Sequence, residues 1–223
     1  MTRFHDRAEA GQYLAAELDA YRGRQDVLVL ALPRGGVPVA FEIARALGVP
    51  LDVFLVRKLG VPGHEELALG AIATGGLRVL NDEVVRAVGL SDAVIERITD
   101  REQQELLRRE RSYRQDRPPP DVRGRTVILV DDGLATGATM RAAARALRQQ
   151  DPAHLVVAVP VASEETCRQF QDAREADEVV CALTPEPFLA VGYWYDDFSQ
   201  TTDEEVRDLL ARATHFSEEA ERA

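Results

Sequence analysis

Lysine is all but missing from this chain. Of its 27 basic residues one, Lys58, is lysine and the others are arginine. A bias toward arginine codons accounts for most of that excess, but not for the one position that kept the other cation. Lysine is a compact point charge and arginine a planar fork, so the two are not interchangeable at a tight anion site. Cysteine is nearly as scarce. Cys167 and Cys181 fall in an expected helix and an expected strand, without CxxC spacing. Both read as small core residues rather than as a disulfide or a metal site.

Positive charge is in deficit as well. A net charge of −11 argues against tracking a phosphate backbone, so nucleic acid is not an expected partner. No apolar run approaches the ~20 residues of a membrane-spanning helix. The amino-terminal stretch MTRFHDRAEAGQYLAAEL is charged and amphipathic and lacks a secretory core, so a cytoplasmic location without a membrane partner is expected. Walker A and GxGxxG spacings are absent, and His5, His154 and His215 are dispersed without ligand spacing.

What is present is an α/β pattern over a length that suits one domain, 1–223. Residues 6–22 read as an amphipathic helix. VLVLAL (27–32) is a continuous apolar run, as a strand buried on both faces requires. GGVPVAFEIARALG continues as a helix, and LDVFLVR (51–57) reads as a second buried strand, completing a βαβ unit. ELALGAIATGGLRVL (66–80) carries a Gly-Gly turn and reads as a hairpin or meander. Residues 82–117 are helical up to RPPP and interrupt the alternation, so they are expected outside the sheet as an inserted arm or lid. Strand–helix alternation then resumes through TVILVD, HLVVAVPV and EVVCAL. A segment 184–223 follows, with an aromatic loop and a closing helix capped by Thr202. The expected fold is an open, mostly parallel twisted sheet flanked by helices.

Ligands of such sheets bind outside the carboxyl ends of the strands. Three informative segments fall there: LPRGG, RKLGVPGHEE and DDGLATGAT. In the third, Gly133, Ala135, Gly137 and Ala138 keep side chains small, so backbone N–H groups can close on a phosphate at a helix N-terminus. Thr136 and Thr139 add hydroxyls. Asp131 and Asp132 would repel that anion unless they face its hydroxyl groups or a divalent cation. A sugar phosphate satisfies both halves of the loop.

VILVDDGLATGATM (127–140) resembles the donor-binding signature of type I phosphoribosyltransferases, nearest the adenine-type form VDDLLATGGTM. LPRGGVPVA is similar to that family's pyrophosphate loop, and VRKLGVPG to its RKxGxxPG segment. The resemblance spans roughly residues 26–160, and the whole chain looks most like a bacterial subgroup of unassigned substrate. It implies a parallel sheet with a small hood, and phosphoribosyl pyrophosphate (PRPP) carried with Mg2+ as donor. Asp131 and Asp132 would contact ribose hydroxyls and the metal. Ala135, Thr136, Gly137, Ala138 and Thr139 would cradle the 5′-phosphate. Arg34, Gly35, Gly36, Arg57 and Lys58 would grip pyrophosphate, with Arg34 and Lys58 neutralising the leaving group. GVPGHEELALG is the candidate lid.

The acceptor is less legible, a nucleobase being the expected small-molecule partner. The hypoxanthine-type base position is Ala135 here, so His64, Glu65 and Glu66 are the candidates for acid–base work. PFLAVGYWYDDF resembles the closing segment of hypoxanthine-type enzymes, which implies Asp196 at the metal–pyrophosphate. Phe188, Leu189 and Trp194 would lie at the acceptor, or Trp194 in the core. Gly133 replaces a usual apolar residue and is expected to loosen the turn. A PRPP-binding regulator without catalysis and transfer to a non-base acceptor stay open, and the arm at 82–117 suggests a homodimer.

Overall fold

Apolar runs without a polar face need layers on both sides, and four such runs form the centre of this protein. The computed structural model describes residues 3–114, 117–173 and 175–222, apart from the side chains of 65, 66 and 215–222. The elements are α1 (Arg7–Glu17), β1 (Val27–Ala31), α2 (Gly36–Leu47), β2 (Leu51–Val53), β3 (Val56–Val61), β4 (His64–Ala73), β5 (Leu77–Leu80), α3 (Asp82–Val88), α4 (Asp92–Arg114), β6 (Thr126–Val130), α5 (Ala138–Arg148), β7 (His154–Val161), α6 (Glu164–Asp172), β8 (Glu178–Leu183) and α7 (Asp203–Arg222). Among the described residues no helix is long and apolar enough to cross a membrane.

Five strands pair in parallel in the order β2-β1-β6-β7-β8. Successive side chains of a strand point to opposite faces. Val29, Ala31, Ile128, Val130, Val156 and Ala158 therefore meet α1, α2 and α7. Leu28, Leu30, Val127, Leu129, Val157 and Val159 meet α5 and α6. The expected open α/β sheet is what forms.

LDVFLVR is not one strand. Leu51–Val53 completes the main sheet, and Val56 begins a separate antiparallel sheet, β3-β4-β5. Phe54 and Leu55 are buried in the crossing, which is why the apolar run continues through the break. Thr74 clamps the crossing: its hydroxyl accepts from Leu55 N–H and its own N–H donates to the Leu55 carbonyl, both at 2.9 Å. The resulting hood packs against α4 and α5, with the start of β3 beside Leu32 and Pro33 after β1.

The segment after the hood forms α3 and α4. Asn81 caps α3, its side chain accepting from Glu83 and Val84 N–H. α4 is bound at its middle and at its carboxy-terminal end. Arg57 of β3 pairs with Glu102 at 2.6 Å. Arg114, buried, donates to Asp52 at 2.8 Å, to Glu110 at 3.2 Å and to the Val53 carbonyl. Removing one partner of such a buried network is strongly destabilising, because it strands a charge. α4 thereby becomes a rigid wall against β2 and the hood.

The two cysteines correct their expected roles. Cys167 of α6 and Cys181 of β8 form a disulfide, with Cα atoms 6.6 Å apart, within the usual span for such a bond. Both lie in the core beneath α6, as small residues should, but facing each other. A separation of 14 residues between a helix and a strand carries no local motif that announces the bond.

Candidate functional site

The strand order reverses between β1 and β6, because β1 leads outward to β2 while β6 leads the other way to β7 and β8. That reversal opens the crevice where parallel sheets take ligands. Two loops leave it side by side, joined at the base by Leu32 N–H donating to the Val130 carbonyl at 2.8 Å. The first carries Arg34, Gly35 and Gly36, and its Pro33–Arg34 peptide is cis. The second carries Asp131 and Asp132 and runs into α5.

The loops interlock through missing side chains. A β-carbon on Gly35 would lie 2.0 Å from Oδ2 of Asp132, and one on Gly36 would lie 2.8 Å from the Val130 carbonyl oxygen. Only glycine lets the first loop pass this close to the acids. Gly133 has the same kind of role, contrary to a loosened turn. Its β-carbon would meet the Val191 side chain at 2.5 Å, so glycine there admits the carboxy-terminal segment against the loop.

Each acid has its own support. The Asp131 carboxylate accepts from Asp132 N–H at 2.9 Å. Arg7 donates to Asp132 Oδ2 through Nε and Nη2, each at 2.9 Å. Arg7 is in turn held by the Ser199 carbonyl at 2.7 Å and lies 4.0 Å from the centre of the Phe198 ring. The Tyr195 hydroxyl donates to the Asp132 carbonyl at 2.6 Å. Burial pushes Asp131 well above the usual carboxylate range, and the charge of Asp132 pushes the same way. Burial raises Asp132 too, while Arg7 opposes it. Arg7 is thus the group that favours a charged Asp132 in a poorly solvated place.

Beyond the acids, Ala135, Thr136, Ala138 and Thr139 are exposed and Gly137 is buried, with φ +70°. A β-carbon at Gly137 would press on the Phe170 ring at 2.6 Å. The Thr166 hydroxyl donates to the Ala135 carbonyl at 2.9 Å. α6 therefore braces this loop from below and leaves its upper face, at the N-terminus of α5, free for an anion.

Arg57 and Lys58 are neighbours on β3, so they point to opposite faces of the hood. Arg57 turns toward α4 and lines a gap of about 40 Å³ with Pro33, Tyr113 and Thr139. Lys58 opens on another cavity, of about 270 Å³, shared with Ala138 and Arg141 of α5. Lys58 thus shares its cavity with the start of α5, whereas Arg34 lines a different one. Arg34 is half-exposed, 3.8 Å from Asp203. The side chain of Glu65 lies outside the described residues.

The carboxy-terminal candidates also separate. Trp194 is buried in a cluster with Phe4, Val161 and Tyr195, and Phe188 packs at its edge. Trp194 therefore belongs to the core rather than to an acceptor surface, while Leu189 is 64% exposed. Asp196 pairs with Arg3 at 3.6 Å and is not joined to the acid pair. Sequence reasoning missed Arg7, which lies on the first helix and has no local motif linking it to Asp132.

The family model for the phosphoribosyl transferase domain matches residues 2–183. A Mycobacterium tuberculosis (strain H37Rv) protein, provisionally named a phosphoribosyl transferase, is 48% identical over 213 residues, covering 96% of this chain and 47% of that protein. The chain thus spans about half the length of that relative. A uracil phosphoribosyltransferase of Lactobacillus gasseri is 27% identical over 179 residues, 76% of this chain and 80% of its own. A Thermus thermophilus protein of known crystal structure superposes with a TM-score of 0.82 at 47% identity, covering 95% of this chain and 99% of its own.

Proposed function

This chain belongs to the phosphoribosyl transferase domain family, and from that premise we propose that it transfers the phosphoribosyl group of PRPP to a nucleobase, releasing pyrophosphate. The observation that carries the reading is the interlock of the two loops at the sheet's reversal, with Gly35 seated against Asp132. It brings an anion cradle, a pair of hydroxyl-accepting carboxylates and an arginine loop within reach of one small ligand. The similarity to a uracil phosphoribosyltransferase supports a nucleobase as acceptor class.

In this mechanism Asp131 and Asp132 accept hydrogen bonds from the ribose hydroxyls and favour positive charge developing on the ring. Arg7 and Tyr195 keep Asp132 in place. The loop from Ala135 to Thr139 fixes the 5′-phosphate, so the anomeric carbon is held between the first loop and the hood. The acceptor nitrogen forms its bond to that carbon as the bond to pyrophosphate oxygen breaks; the electron pair leaves with pyrophosphate and the nitrogen's proton is released to solvent. Arg34 and Arg57 neutralise the departing charge. Mg2+ would arrive on the donor and share that task. Such a cation needs only one or two carboxylates besides substrate phosphates, which suits a site where the described residues form no cluster of three ligands.

The test is pyrophosphate release from PRPP over a panel of nucleobases, amines and alcohols. Release with a base, absent in Asp131→Asn, is the expected result. Binding of PRPP without release on any acceptor would favour a regulatory protein instead.

A further inference from the structure

The pyrophosphate side of the crevice has a second wall that none of the loop motifs supplies. Arg109, exposed on α4, lines three adjoining hollows. It shares the gap of about 40 Å³ with Pro33, Arg57 and Thr139. It shares a polar cavity of about 160 Å³ with Arg34, Arg108, Ser112, Tyr113 and Asp203. It shares an open hollow of about 520 Å³ with Arg57 and Arg108. Arg109 therefore stands between the two arginines, Arg34 and Arg57, that the transfer reaction needs beside its leaving group.

The charges of the middle cavity do not balance. Arg34, Arg108 and Arg109 line it against one acid, Asp203, which already accepts from the Tyr113 hydroxyl at 2.6 Å. Arg108 and Arg109, both exposed, are held by one half-buried partner, Glu105, at 2.7 and 3.0 Å. A surface pair of this kind contributes little stability, so a multiply charged phosphate can displace it. The rest of α4 does not yield, because Arg114 locks its end to Asp52 and the Val53 carbonyl. Residues four apart share a helix face, which aligns Arg109 with Tyr113 on the side turned to the first loop.

We propose that Arg109, with Arg108 beside it, binds the pyrophosphate of this site, closing the cavity opposite Arg34 and exchanging Glu105 for the leaving group. This rests on the phosphoribosyl-transfer reading but adds residues outside every motif that supports it. It places the cations for the leaving group on a rigid helix as well as on the hood.

Calorimetry with inorganic pyrophosphate, PRPP and ribose 5-phosphate tests it on the whole chain. Loss of one charge-assisted contact group predicts that Arg109→Gln weakens pyrophosphate and PRPP about ten-fold or more, leaving ribose 5-phosphate within about two-fold. Arg109→Lys recovers part of the loss, since it keeps the charge without the fork. Glu105→Gln removes the internal competitor and tightens pyrophosphate. Unchanged pyrophosphate binding in Arg109→Gln overturns the inference, and so does an equal loss for ribose 5-phosphate. If the wild-type chain binds PRPP and Arg109→Gln binds it as well, only this inference fails. If the wild type binds pyrophosphate through Arg109 but not PRPP, the donor reading fails and the arginine site stands.

Discussion

A β-carbon at Gly35 would stand 2.0 Å from the Asp132 carboxylate, so Gly35→Ala must displace either the acid or the arginine loop. PRPP affinity is expected to fall by more than about ten-fold, measured by calorimetry, while circular dichroism shows the fold retained. Asp131 gives a prediction of opposite sign for stability. A carboxylate whose folded pKa is raised favours folding below its unfolded pKa, and that advantage is lost as pH rises through the folded value. Burial and the charge of Asp132 both raise Asp131, so the ionised pair opposes folding at neutral pH. Asp131→Asn should raise the melting temperature at pH 7 by a few degrees while weakening PRPP binding by about a hundred-fold or more. The gain should shrink as pH falls toward the ordinary carboxylate range. Asp26, which Arg24 holds down at about 2, contributes in the other direction in acid, but equally in both proteins, so the difference between them isolates Asp131. At Asp132 the loss of Arg7 removes the influence that opposes its raised pKa. Arg7→Gln should therefore move the acid limb of PRPP binding to higher pH, and an unmoved limb would refute the role given to Arg7.

Among the elements, α6 links the disulfide to the loop that enters α5. Cys167 is one residue from Thr166, whose hydroxyl holds the Ala135 carbonyl. Reduction by a dithiol opens a loop of 14 residues, for which chain-entropy arguments give about 3 kcal/mol, or about 6–12 °C in melting temperature. Thr166→Val should weaken ribose 5-phosphate binding with the disulfide intact, which separates the brace from the crosslink. These elements also show what local pattern can and cannot carry. β1, β6, β7 and β8 were legible because each carries a near-continuous apolar run, after a polar first residue in the last three, as a sheet covered on both faces demands. The break at Phe54 was not, because the crossing between sheets is as buried as the strands it joins. The disulfide was hidden for a related reason: its cysteines satisfy the same burial pattern whether bonded or free.

Over the whole molecule, contiguity decides how much of the site can be read in advance. The acid pair, the phosphate loop and the arginine loop are short segments, and their positions after β1 and β6 follow from strand order alone. Arg7 lies 125 positions from Asp132 in the chain, and Arg109 reaches the crevice only because Arg114 fixes the course of α4. Lys58 shows the converse: its rarity singled it out, but the alternation of β3 turns it away from Arg57 and toward α5. The central claim is that the two interlocked loops hold PRPP. Titration of Mg·PRPP into the wild-type chain and into Asp131→Asn tests it most directly. Saturable binding by the wild type, weakened by about a hundred-fold or more in the variant, is the predicted result. No binding by the wild type, or the same affinity in both, would contradict it.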